Sequence, residues 1–144
     1  MTSAKTKFRP SAGWPSVAPE FFVDRGLGKS VPRKLRELGW ELHMLSDHFP
    51  DDAQNVEDEI WLDYGLRKGW TPICKDGRIR GRQHERQPIE VHQAALFYLD
   101  NQSLMIDDMV VRFHSAKKSI ERAIERGGPA CFAVTREGIR RTWP

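Results

Sequence analysis

Short apolar runs alternate with stretches of helical spacing along most of this chain, and their order predicts the class of fold. Residues 21–23 are all apolar and end at Asp24, after which Arg25-Gly26-Leu27-Gly28 supplies a loop; this reads as a short strand and its turn. Val31, Leu35 and Leu38 then recur at helical spacing among charged residues, and Gly39 stops the helix. Leu42, Met44 and Leu45 give a second strand, and a polar loop over 46–55 leads to Trp61, Leu62, Gly65 and Leu66, a second helix ended by Gly69. Trp70, Ile73 and Cys74 make the third strand, broken by Asp76-Gly77. A basic loop runs to Gln87, and Pro88 is expected in the first turn of a third helix ending near Ala95. Residues 96–99 form strand four. Ile106, Val110, Phe113, Ile120 and Ile124 describe one long amphipathic helix closed by Gly127-Gly128, and residues 130–134 are strand five.

Strands alternating with helices predict a three-layer α/β/α domain around a mainly parallel, five-stranded sheet joined by right-handed crossovers. The chain of 144 residues, 39% of them apolar, suits one such domain with a real core. The domain is expected over 19–144. Residues 1–18 hold Pro10 and Pro15, three basic residues and no acid, and read as a flexible basic arm. No apolar run is long enough to span a bilayer and no signal peptide opens the chain, so a cytoplasmic location without membrane contact is expected. Cys74 and Cys131 fall within predicted strands, as small buried thiols rather than a disulfide framework.

The net charge of +3 says less than its distribution. Residues 44–66 contain seven acids and no Lys or Arg; the next stretch carries Arg67, Lys68, Lys75, Arg78, Arg80, Arg82 and Arg86 against Asp76 and Glu85 alone. An acidic pole thus adjoins a basic one, as a metal site beside a phosphate track would require.

Three aspartates sharpen that reading. Asp24 ends strand one and Asp76 ends strand three, so both belong to the carboxyl edge of the sheet, where open α/β folds bind ligands. Asp58, Trp61, Leu62 and Gly65 lie at i, i+3, i+4 and i+7, which places the aspartate on the sheet-facing side at the start of its helix. Unpaired carboxylates crowded in a partly dry cleft would resist ionising, and a hard divalent cation relieves that conflict. Mg2+, or Mn2+ in its place, would support hydrolysis of a phosphodiester. Arg78, Arg80 and Arg82 alternate directly after Asp76, and in an extended loop they would share one face toward successive phosphates. Lys29, Arg136, Arg140 and Arg141 either extend this track or are merely exposed. His43, His48, His84, His92 and His114 show no metal-ligand spacing, and neither a nucleophile motif nor a glycine-rich phosphate loop occurs. Trp40, Trp61 and Trp70 read as core residues.

Two segments resemble PIN domains, and in particular the VapC-type toxin ribonucleases. One is the apolar strand ending in Asp24 with Arg25-Gly26-Leu27-Gly28-Lys29 behind it; the other runs from Asp58-Glu59-Ile60-Trp61-Leu62 through Gly65 and Gly69 to Trp70-Thr71-Pro72-Ile73-Cys74-Lys75-Asp76. The resemblance implies that Asp24, Asp58 and Asp76 are metal ligands and catalytic acids. It further implies a magnesium- or manganese-dependent endoribonuclease, a toxin with RNA as substrate and an antitoxin protein as partner, with a homodimer allowed. Lys29, Lys75, Arg78, Arg80 and Arg82 would bind the nucleic acid. The usual PIN pattern also has a glutamate on an intervening helix, and none stands here. Glu90, at the start of predicted helix three, is the fourth catalytic candidate and Asp47 the next; an acid in a first helical turn also serves the helix dipole. Cys74 stands where the family commonly has threonine. Alternative readings are a PIN-like nuclease of RNA maturation or DNA repair, and an inactive module that binds RNA or a partner, favoured by the missing glutamate. A phosphoacceptor receiver domain fits less well, because Asp24 is followed by Arg25 and strand five by Thr135-Arg136.

Overall fold

The computed structural model describes residues 18–49 and 56–144, without the side chains of Ile79 and Arg80. Its strands are β1 (Glu20–Val23), β2 (Glu41–Met44), β3 (Thr71–Cys74), β4 (Ala95–Leu99), β5 (Ala130–Val134) and β6 (Ile139–Trp143). Between them lie α1 (Ser30–Glu37), α2 (Asp58–Arg67), α3 (Gln83–Val91), α4 (Ile106–Ser115) and α5 (Lys117–Arg126). The sheet order is β2-β1-β3-β4-β5-β6, parallel throughout except where β6 returns antiparallel to β5. This is an α/β fold with a six-stranded sheet. The expected arm falls almost wholly outside the described residues.

Period-two alternation sends the strand side chains to two cores. Phe21, Val23, Ile73, Phe97, Leu99 and Phe132 pack toward α1, α4 and α5, where Val31, Leu35, Phe113 and Ile120 meet them. Phe22, Cys74, Leu96, Tyr98 and Cys131 pack toward α2 and α3, against Trp61, Leu62 and Ile89. Each large side chain so buried contributes about 1.5–3 kcal/mol. Trp40 and Trp61 are core residues and Trp70 packs at the core's margin. Gly65 is required on α2, since a Cβ there would run into the ring of Phe22. Both cysteines are buried thiols outside any disulfide. No helix among the described residues is long and apolar enough to cross a membrane.

Three expectations need correction. The sheet has a sixth strand: Ile139–Trp143 carries Arg140 and Arg141 and reads as polar because it is an edge strand, where charge blocks further pairing. Its hairpin is closed by Thr135 and Gly138, the latter at φ +147°, which favours glycine. The third helix starts at Gln83, not at Pro88, which sits inside it. Proline most often marks a first turn, so its position misleads here. The long helix is two, broken at the buried Ala116; Phe113 and Ile120 remain seven residues apart across the break, so apolar spacing cannot reveal it.

Candidate metal and nucleic-acid site

In the order β2-β1-β3-β4-β5 the connections leave in opposite directions from β1 and β3, and a crevice forms beyond their carboxyl ends. Asp24 is the residue after β1, and its amide donates to the Ile73 carbonyl of β3 at 2.9 Å, which fixes it at that junction. The chain then turns in a 3-10 segment, Arg25–Leu27, with no side chain capping it. A Cβ on Gly26 would lie 3.1 Å from Asp24 Oδ2 and 3.4 Å from Lys75 Cβ, so this loop packs closely over the aspartate and the end of β3.

The charges of the other two predicted acids reach Asp24 at this junction. Burial raises Asp24 to about 6 from the ordinary 3.8, the charge of Asp58 adds to the rise, and Asp76 contributes further; the Gly26 amide and the Arg78 guanidinium oppose it. Asp58 occupies the first turn of α2, where its Oδ1 accepts from Trp61 Nε1 at 2.9 Å. That bond orients the carboxylate from the buried face of its own helix. Asp76 Oδ1 accepts from the Arg78 amide at 3.1 Å and lies 3.6 Å from Arg78 Nε. Cys74 is buried at the end of β3, and burial first, then the charges of Asp24 and Asp58, pushes its thiol well up.

The three acids offer hard oxygen donors, and the charges of Asp58 and Asp76 act on Asp24. Among the described residues, no three His, Cys, Asp or Glu side chains close a metal-holding group. A tightly caged ion does not fit this arrangement. Hard oxygen donors of this kind are the chemistry that Mg2+ or Mn2+ takes, with several waters retained and one or two carboxylates bound directly.

The remaining predicted residues divide. Lys75 belongs to the site, beside the Gly26 loop. Lys29 is exposed just before α1, in the loop that follows Asp24. Glu90 does not join the acids: it stands in the last turn of α3, 3.5 Å from Arg86, and lines a separate groove with Gln83, His84 and Gln87. Nor is it in a first turn, so the dipole argument for it fails. Asp47 is exposed after β2, with its charge acting on His48. Residues 78–81 form a 3-10 turn rather than an extended loop, so alternate residues do not share a face. Arg82 is paired with Glu85 at 3.3 Å, and the side chain of Arg80 lies outside the described residues.

Sequence reasoning missed one part of this edge. A cavity of about 300 Å³ adjoins Asp76 and is lined also by Arg78, Asp100, Gln102 and Arg140. Asp100 directly follows β4, so the strand-end rule that selected Asp24 and Asp76 applied to it equally. Arg140, one of the residues weighed as an extension of the basic track, arrives on β6 and lines this cavity.

Fold and site together define a doubly wound α/β domain with an acidic crevice at its topological switch point. The sequence model of the PIN-like domain family matches residues 19–101, more than half of the chain. The protein belongs to the PIN-like domain family, whose fold is of nuclease type. Neither the comparison with curated proteins nor that with solved structures gives a match.

Proposed function

We propose that the protein is a magnesium- or manganese-dependent endoribonuclease in which Asp24, Asp58 and Asp76 hold the ion. The observation that carries this is the half-buried Asp24 at the switch point, raised to about 6 by burial first and then by the charges of Asp58 and Asp76. A protein gains nothing structurally from such crowding unless a cation relieves it. When bound, the ion supplies a Lewis acid for the phosphodiester and an activated water. The chain's own residues do the rest: Arg78 and Lys75 draw a phosphate to the edge, and Trp61 orients Asp58. The toxin role, with an antitoxin as partner, follows from the VapC resemblance and from nothing else. The missing helix glutamate, which Glu90 does not replace at the crevice, favours a second reading, a PIN-like module that binds RNA without cutting it.

Incubation of the purified protein with total RNA, with and without Mn2+, beside the Asp24→Asn variant, separates the two. The nuclease reading expects cleavage that needs the metal and falls by about two or more orders of magnitude in the variant. Equal cleavage in chelator, or by the variant, overturns it.

A further inference from the structure

The cavity beside Asp76 combines two kinds of group that phosphate-binding alone does not need. Arg78 is held only loosely, with Nε 3.6 Å from Asp76. Arg140, exposed on β6, has neither ion pair nor side-chain hydrogen bond among the described residues. Both line the cavity as cations. Gln102 and Asp100 line it as acceptors. The Gln102 amide nitrogen donates to the Lys75 carbonyl at 2.9 Å and to the Leu99 carbonyl at 3.0 Å, which uses both of its hydrogens. Since both neighbours are acceptors, only the nitrogen end can face them, and the carbonyl oxygen is left to bind a donor. Asp100 Oδ1 accepts from Arg112 at 2.6 Å. That pairing neutralises Asp100 locally and leaves its second oxygen as a further acceptor.

We propose that this cavity seats the ribonucleotide adjoining the cleaved bond, its phosphate drawn by Arg78 and Arg140 and its sugar hydroxyl bound by Gln102 and Asp100. The cleaved bond itself rests on the nuclease reading above; the seat does not. A volume of about 300 Å³, open on one side, is of the size a single nucleotide needs. Arginine suits a phosphodiester, and an acceptor pair fixed in advance by Arg112 and by two backbone carbonyls suits a hydroxyl donor. The 2′-hydroxyl is the group by which a protein separates RNA from DNA, and a deoxy strand would leave both acceptors unmatched. The matched family segment ends at residue 101, so Gln102 and the strand that brings Arg140 both lie beyond it. Of the acceptor pair, only Asp100 lies within the segment that carries the acids.

The test is the affinity of a short fluorescent single-stranded RNA, and of its all-deoxy counterpart, in chelator so that nothing is cut. Arg140→Gln should weaken RNA binding about tenfold and lower the salt slope by about one. Arg126→Gln, at the end of α5, removes the same charge elsewhere and should stay within about twofold. The parent protein should prefer the RNA by about fivefold or more, and Gln102→Leu should narrow that gap. Equal affinity for the two strands, an Arg140→Gln affinity matching the parent, or an equal loss in Arg126→Gln overturns the proposal. Cleavage of the same RNA with Mn2+ keeps the two readings apart. A parent that binds selectively but does not cut removes the nuclease and leaves the seat. A parent that cuts while Arg140→Gln keeps its KM removes the seat alone.

Discussion

Asp24 sets function against stability in one side chain. Its carboxyl titrates near 6 in the fold and near 3.8 when unconstrained, so between those values the folded state holds a proton that the unfolded chain has released. Stability therefore falls as pH rises from about 4 to about 6 and levels off above. At about 1.4 kcal/mol per pH unit, the ionised carboxylate costs the metal-free protein about 3 kcal/mol at neutral pH. Urea midpoints measured in chelator from pH 4 to pH 7 should show that decline, and Asp24→Asn should flatten it and be the more stable protein at pH 7. A variant with the parent's pH profile would mean that neither the burial of Asp24 nor its crowding by Asp58 and Asp76 is felt. Added Mn2+ should stabilise the parent above pH 6 and leave the variant nearly unmoved, because binding to the folded state alone raises its stability.

At the scale of elements, the acids hold their places because α2 lies close on the sheet. Phe22 of β1 is fully buried and meets Trp61 edge-on at 5.7 Å, while Trp70 stands at 5.4 Å on another side. The rings of His48 and Tyr64 also stand beside the Phe22 ring, at 6.0 and 6.1 Å, which leaves it little room to yield. Gly65 is where α2 passes over that ring, and a Cβ there collides with it. Gly65→Ala improves helix propensity by about 1 kcal/mol, yet overpacking a rigid core costs about 1–3 kcal/mol. The steric cost outweighs the gain in propensity, so the variant should unfold at lower denaturant, and α2 should shift outward with Asp58 at its start. A Gly65→Ala protein as stable as its parent would show that the helix is free to slide. Metal affinity measured on the folded variant gives the same answer from the other side, since a displaced Asp58 should weaken it.

For the whole molecule, what could be read from sequence was whatever depends on order and period, and what could not depends on approach. The alternation of apolar runs with helical spacing gave the parallel sheet and put Asp24 and Asp76 at one edge, because a strand end is a local fact. Asp58 followed from helical geometry. The sixth strand stayed hidden because Arg140 and Arg141 mask its apolar positions, and the arginine track was misjudged because no local rule told a 3-10 turn from an extended loop. The correction changes the expected electrostatics of RNA binding. Three arginines in a row would release about three counterions. In the fold, Arg78, though 3.6 Å from Asp76, lines the cavity, whereas Arg82, paired with Glu85 at 3.3 Å, does not, so the two should separate in a salt titration. Arg78→Gln should reduce the slope of log affinity against log salt by about one, and Arg82→Gln by much less, since Arg82 lies outside the cavity that would draw the phosphate. Equal slopes for the two variants would return the basic segment to a solvated loop, with every positive charge in it acting alike.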